Sequence, residues 1–208
     1  MERIENNLNN PLPPGAVISI KFNEPIGKFT QIRAVFSPAI DFDETWDKTK
    51  MSLALRPKNG FSQGIDYNLE IERSYIIYDR ENSVLRKSEP EKILQKSFSI
   101  VKPAGVLEIT PLGNDVLPGT AIKIKFLKPM IRDEIEKNFL INPPLNIKFN
   151  WLDDQIVEII SDPAFSFGSK YELSLPATVH ASDGATLEKE IVHIFSTLGQ
   201  VTLISISP

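Results

Sequence analysis

The 208-residue chain contains no cysteine. That absence removes disulfide staples, a thiol nucleophile and thiolate metal sites from consideration. It does not fix a compartment, since exported bacterial proteins also lack cysteine. No apolar run approaches the roughly 20 residues that a membrane-spanning helix needs. Met1–Asn10 lacks the charged-then-apolar order of a secretory signal, so an exported parent is expected to carry its signal elsewhere. Histidine is scarce: the 2 present are His180 and His193. A general base needs a nucleophile or second titrating group within hydrogen-bond reach. No serine elbow accompanies either histidine, and His193, next to Ile194, reads as an outward strand residue. No catalytic residue is assigned, and the chain is expected not to be an enzyme.

Positive charge is also limited. The formal net charge is -4. Residues 1–103 carry 15 Lys/Arg against 14 Asp/Glu, and residues 104–208 carry 8 against 13. Neither half has the basic excess that binding a phosphate backbone requires, so nucleic acid is not an expected partner.

What is present is a duplication, the feature to look for before any other. Pro14-Gly15-Ala16-Val17-Ile18-Ser19-Ile20-Lys21-Phe22 returns without a gap 104 positions later as Pro118-Gly119-Thr120-Ala121-Ile122-Lys123-Ile124-Lys125-Phe126. Pro25-Ile26 answers to Pro129-Met130, Ser37-Pro38 to Asn142-Pro143, and Trp46 to Trp151. Gly64, Tyr67, Leu69 and Ile71 recur as Gly168, Tyr171, Leu173 and Leu175, and Phe98-Ser99 as Phe195-Ser196. Leu107–Pro111 is echoed by Ile204–Pro208, as if a third copy were beginning. The boundaries read as a first domain over 1–103, a second over 104–199, and a linker or first strand of a further repeat over 200–208.

Within each copy the apolar residues alternate at period two. Ile18, Ile20 and Phe22 share one face of a strand, as do Ile122, Ile124 and Phe126. Pro13-Pro14-Gly15, Asn59-Gly60, Pro143-Pro144, Phe167-Gly168 and Asp183-Gly184 supply turns at the intervals of an antiparallel sandwich. Ile131 to Phe139 is the only helical stretch, expected to form a turn or two, where the first copy has Gly27 to Val35. A mid-domain Trp, and a Tyr with Leu two positions on, resemble the core Trp and tyrosine corner of an immunoglobulin sandwich. The fold class is therefore all-β: two tandem immunoglobulin-like antiparallel β-sandwiches.

The motifs also resemble the bacterial Ig-like domain of S-layer and other cell-surface proteins. The second copy carries nearly all of that pattern: Ile109-Thr110-Pro111, Pro118-Gly119, Ile122 to Met130, Trp151, Gly168 to Tyr171, Asp183-Gly184 and Phe195-Ser196-Thr197. The first copy closes on Phe98-Ser99-Ile100 instead and must draw its first strand from Met1 to Asn7. The resemblance implies a non-catalytic structural or spacer module of a bacterial cell-surface or cell-wall protein, extracellular and without cofactors. Its partners would be neighbouring domains, cell-wall glycan or surface proteins. A binding module, or an accessory region of a larger cell-wall enzyme such as an L,D-transpeptidase, are the alternatives.

Several side chains are candidates against that plain background. Asp41, Asp43, Glu44 and Asp47 are spaced like the alternating ligands of a calcium loop. Trp46 stands where such a loop needs glycine, so a solvated loop edge is the favoured reading. Trp46 and Trp151 are expected in the core rather than as exposed sugar platforms, because they recur beside strand signals. The first copy spends seven more residues between Tyr67 and Phe98 than the second does between Tyr171 and Phe195. The excess is charged, and Arg80, Glu81, Arg86, Lys87 and Glu91 are its interaction candidates, since long loops on rigid scaffolds often carry function.

Overall fold

A computed structural model describes Leu8, residues 11–79 and residues 84–200. The expected opening strand over Met1–Asn7, and the start of a third copy at Ile204, lie outside the described residues. The chain divides into two compact units, Met1–Lys102 and Pro103–Pro208.

In the first unit the strands are β1 (Ile18–Lys21), β2 (Thr30–Ser37), β3 (Phe42–Trp46), β4 (Ser52–Pro57), β5 (Asp66–Tyr78), β6 (Val84–Lys87) and β7 (Glu91–Ser99). One sheet runs β1-β4-β3, with Ile18 opposite Leu55 and Ile20 opposite Leu53. The other places β2 on one side of β5, and β6 and β7 on the other. The alternation read from the sequence sets the burial. Ile18, Ile20, Leu53 and Leu55 of the first sheet and Ala34, Phe36, Leu69, Ile71 and Phe98 of the second are all buried. Phe36 meets Phe42 edge-on at 5.0 Å, joining strands of the two sheets. Each large apolar side chain so buried contributes roughly 1.5–3 kcal/mol relative to exposure.

The second unit contains β8 (Val106–Thr110), β9 (Gly113–Val116), β10 (Ile122–Phe126), α1 (Arg132–Asn138), β11 (Leu140–Asn142), β12 (Ile147–Trp151), β13 (Ile156–Ser161), β14 (Lys170–Leu175) and β15 (Ile191–Thr197). Its sheets run β12-β13-β10-β8 and β11-β14-β15-β9. Ile122 pairs with Ile159 and Ile124 with Val157, the counterpart of the β1–β4 pairing. Between β8 and β9 the chain passes from one sheet to the other at Thr110-Pro111. Proline suits that crossing because it has no N–H to give to a ladder. Among the described named strands β9–β15 is the parallel pair, and in the first unit Leu12 makes a parallel bridge to Ile100 at the matching place.

The copies part between Pro25 and Pro38, and between Pro129 and Pro143. The second unit builds α1 and the three-residue strand β11 there, with Ile135 fully buried beneath the helix. The first unit builds the eight-residue strand β2 instead. Thr30 to Arg33 then need partners, and β5 supplies them by continuing through Glu72–Tyr75. Among the described residues the sheet of the first copy is thus longer, with β6 pairing the far end of β5.

Candidate functional site

The most regular polar feature is a corner repeated in both units. Phe61, Tyr67 and Phe98 form a ring cluster, Tyr67 stacked on Phe98 at 5.8 Å and Phe61 edge-on to Phe98 at 5.3 Å. Phe165, Tyr171 and Phe195 repeat it at 5.5 and 5.2 Å. The phenol oxygens accept from backbone N–H groups five residues upstream, Ser62 to Tyr67 at 3.1 Å and Ser166 to Tyr171 at 2.9 Å. This is the tyrosine-corner geometry of immunoglobulin domains. Gly64 and Gly168, at φ +73 and +62, turn the chain just before each tyrosine in the left-handed region that favours glycine. Phe61 and Phe165 were not recognised from the sequence, although each stands six residues before its tyrosine. In the second unit the hydroxyl of buried Thr197 also accepts from Ser169 N–H at 2.9 Å and donates to the Ser166 carbonyl.

The two tryptophans require a correction. Both are half-buried, not core residues, because β3 and β12 are edge strands with a sheet neighbour on one side. Trp46 stacks on Phe22 at 5.6 Å and Trp151 on Phe126 at 6.4 Å. A cation lies over each indole, Lys50 at 5.6 Å and Arg132 at 5.5 Å, favoured by the electron-rich ring face. Trp151 also donates its Nε1–H to Glu136 of α1 at 2.8 Å. Beside Trp46 lies a groove of about 310 Å³ lined by Ile26, Gly27, Lys28, Thr30, Gln31, Ile32 and Lys50. A smaller one, about 170 Å³, adjoins it and contains Glu24, Arg73 and Tyr75. The second unit has a groove of about 330 Å³ bounded by Ala104–Val106, Leu127 and Leu187–Val192.

The acidic run does not converge. Asp43 and Glu44 point to opposite faces of β3, and Asp43 lies 3.6 Å from Lys58. Asp41 contributes its carbonyl to Lys58 N–H. Asp47 closes its own hairpin, accepting from the Thr49 hydroxyl and from the N–H groups of Met51 and Ser52. The Thr49 bond first, then the Ser52 N–H, hold its carboxyl below the usual range. Among the described residues no group of three or more His, Asp or Glu gathers to hold a metal ion. These carboxylates lie along an edge strand and its turn, Asp43 and Glu44 on opposite faces and Asp47 in its own hairpin.

Of the interaction candidates, Arg80 and Glu81 lie outside the described residues. Arg86 stands opposite Ile77, Lys87 donates to Gln31 at 3.0 Å, and Glu91 pairs with Arg73 at 2.7 Å. Lys87 and Glu91 thus tie the added length to the sheet it extends. His193 faces inward, against expectation: it pairs with buried Leu173, and its Nε2 sits 2.7 Å from the Pro111 carbonyl. The outward residues of β15 are the exposed Val192 and Ile194. His180 presents its backbone N–H and its Nδ1 to Glu134 Oε2 at 2.8 and 2.9 Å, joining the loop to α1. That ring hydrogen bond, first, holds the Glu134 carboxyl below the usual range. Asp153 and Asp154 stand at the β12–β13 tip, as expected, with Asp154 paired to Arg132 at 2.6 Å.

Two largely antiparallel sheets over an aromatic core, with a tyrosine corner in each unit, define a tandem pair of immunoglobulin-like β-sandwiches. No known protein family and no curated protein matches the chain. Among solved structures it is similar to L,D-transpeptidase 3 from Mycobacterium tuberculosis, 23% identical over 45% of this chain and 37% of that one, with a TM-score of 0.35. It is similar to an L,D-transpeptidase from Mycobacterium smegmatis, 20% identical over 47% and 41%, TM-score 0.36. A titin fragment, A168169, matches at 10% identity over 95% of this chain and 99% of that chain, TM-score 0.31. The chain spans about two fifths of the length of the two transpeptidases. At these identities and TM-scores the likenesses carry no argument about activity, and the fold rests on the geometry above.

Proposed function

We propose that this chain is a non-catalytic, tandem Ig-like segment of a bacterial cell-surface or cell-wall protein, and that it acts as a structural spacer. The observation that carries the reading is which polar side chains the two copies share. The repeated tyrosine hydroxyls at the corners hold backbone in place, and Asp47 and Asp153, at non-matching positions of the two equivalent hairpin turns, do the same. Duplication of such groups replicates a scaffold. The motif resemblance to surface Ig-like domains supports the location. Fold alone does not assign function, so the location needs its own experiment. An antibody against the chain, applied to intact cells of the producing bacterium before and after external protease, tests it. Labelling of intact cells that protease abolishes is the expected result. Full protection until the cells are lysed would overturn the reading.

A further inference from the structure

We propose that the groove beside Trp46 is a binding site for a saccharide unit that carries a carboxylate. The second unit shows which chemistry this place accepts. There the stretch after Pro129 forms α1, which lays Arg132 over the Trp151 ring and brings the Glu136 carboxylate onto Trp151 Nε1–H at 2.8 Å. The chain's own helix thus supplies an anionic oxygen to the indole.

The first unit keeps the tryptophan, the phenylalanine beneath it and a cation above it, but not the helix. Lys50 lies 5.6 Å over the ring, and the stretch of sequence that matches α1 runs into β2 instead. What remains is the groove of about 310 Å³, at the lower end of the size range of small-molecule sites. Among the described residues Trp46 Nε1 has no counterpart of Glu136, and Lys28 and Lys50 form no ion pair.

The lining matches the ligand class. Lys28 and Lys50 supply positive charge, and no carboxylate is among the lining side chains. Glu44 shares the Trp46 face of β3 but does not line the groove, and the Asp47 carboxylate is directed to its own turn. Thr30 offers a hydroxyl and Gln31 the NH2 of an amide whose oxygen already accepts from Lys87, while Ile26 and Ile32 offer apolar surface to the ring carbons. A carboxylate at Trp46 Nε1–H, with the Lys50 ammonium over the same ring and Lys28 elsewhere on the groove wall, would form a charge-assisted hydrogen bond.

This inference rests on the reading of the chain as a surface or cell-wall module, yet the surface-labelling experiment and the following one can fail separately. The uniformly ¹⁵N-labelled full chain is titrated with D-glucuronate, D-glucose and acetate while the indole Nε1–H signals of its two tryptophans are followed, with Trp46→Phe assigning them. The expected result is a saturable shift of the Trp46 signal with glucuronate, a stationary Trp151 signal and no response to glucose. Acetate should bind at least about tenfold more weakly, the equivalent of the polar contacts it lacks. The exposed pair Lys28→Gln and Lys50→Gln, combined, should weaken glucuronate by about tenfold or more while leaving the rest of the spectrum in place. A stationary Trp46 signal with glucuronate, an equal response from Trp151, or an unchanged affinity in the lysine variant would overturn the site. Equal binding of acetate or glucose would overturn the ligand class.

Discussion

Replacing Tyr171 by Phe removes one oxygen from the second unit and leaves the ring in place. The ring is 2% exposed and packed on Phe165 and Phe195, so the aromatic contacts should survive. What is lost is the acceptor for Ser166 N–H at 2.9 Å. A donor left without a partner in a protein interior costs about 1–3 kcal/mol, and this one is part-buried, so water compensates in part and about 1–2 kcal/mol is expected. For a domain near 100 residues each kcal/mol lowers Tm by roughly 4–8 °C. The assay uses the placement of one tryptophan in each unit. In a Trp46→Phe background, fluorescence of Trp151 reports unfolding of the second unit, and urea titration gives the midpoint and slope. The midpoint should fall with the slope unchanged, the signature of altered stability rather than altered denatured-state compactness. Tyr171→Leu should lose more, by roughly another 0.5–1.5 kcal/mol, because the aromatic pairing goes too. An unchanged midpoint for Tyr171→Phe would refute the argument that the corner hydrogen bond stabilises the unit.

Three further outcomes can be checked. Thr197→Val keeps shape but removes the hydroxyl that accepts from Ser169 and donates to Ser166, so urea midpoints should show a loss of about 1–3 kcal/mol. Ile135→Ala empties a fully buried site under α1 and should cost about 2–5 kcal/mol by the same measurement. The Glu134 carboxyl is held below its ordinary value of 4.5 in the folded chain, chiefly by His180, so it contributes stability above that value and loses it as pH falls through the lowered one. The advantage of the native chain over Glu134→Gln in thermal unfolding should therefore be present at pH 6 and shrink on acidification.

The parts of this fold that period-two alternation controls were legible in the sequence. Ile18/Ile20 and Ile122/Ile124 had to face inward wherever their strands were placed, and they do. The helix at Arg132–Asn138 and the turn at Asp183-Gly184 were equally local matters. What the sequence hid depends on neighbours. The exposure of a tryptophan depends on whether its strand has one sheet partner or two, and no local pattern around Trp46 or Trp151 records that. The phase of β15 was misread at His193 because Val192 and Ile194, both apolar, turn outward, while a histidine turns in toward Pro111. The carboxylates around Asp43 looked clustered only along the chain, since neighbouring residues of a strand face opposite ways. The charged excess after Tyr78 was visible as length. Its use in lengthening a sheet was not, because that required seeing a strand stand in the sequence where the second copy has a helix.

That replacement gives the duplication a practical meaning. Two fixed prolines bracket a cassette that can be read as helix or as strand while the rest of the sandwich is kept. Moving Ile131–Asn142 into the first copy, in place of Gly27–Ser37, is then a swap between relatives inside one molecule. If the graft is accepted, the far end of β5, Glu72–Tyr78, loses its β2 partner and should become dispensable together with β6. Specialisation in a repeated module would in that case be confined to exchangeable stretches at its rim, leaving the corners free to be copied unchanged.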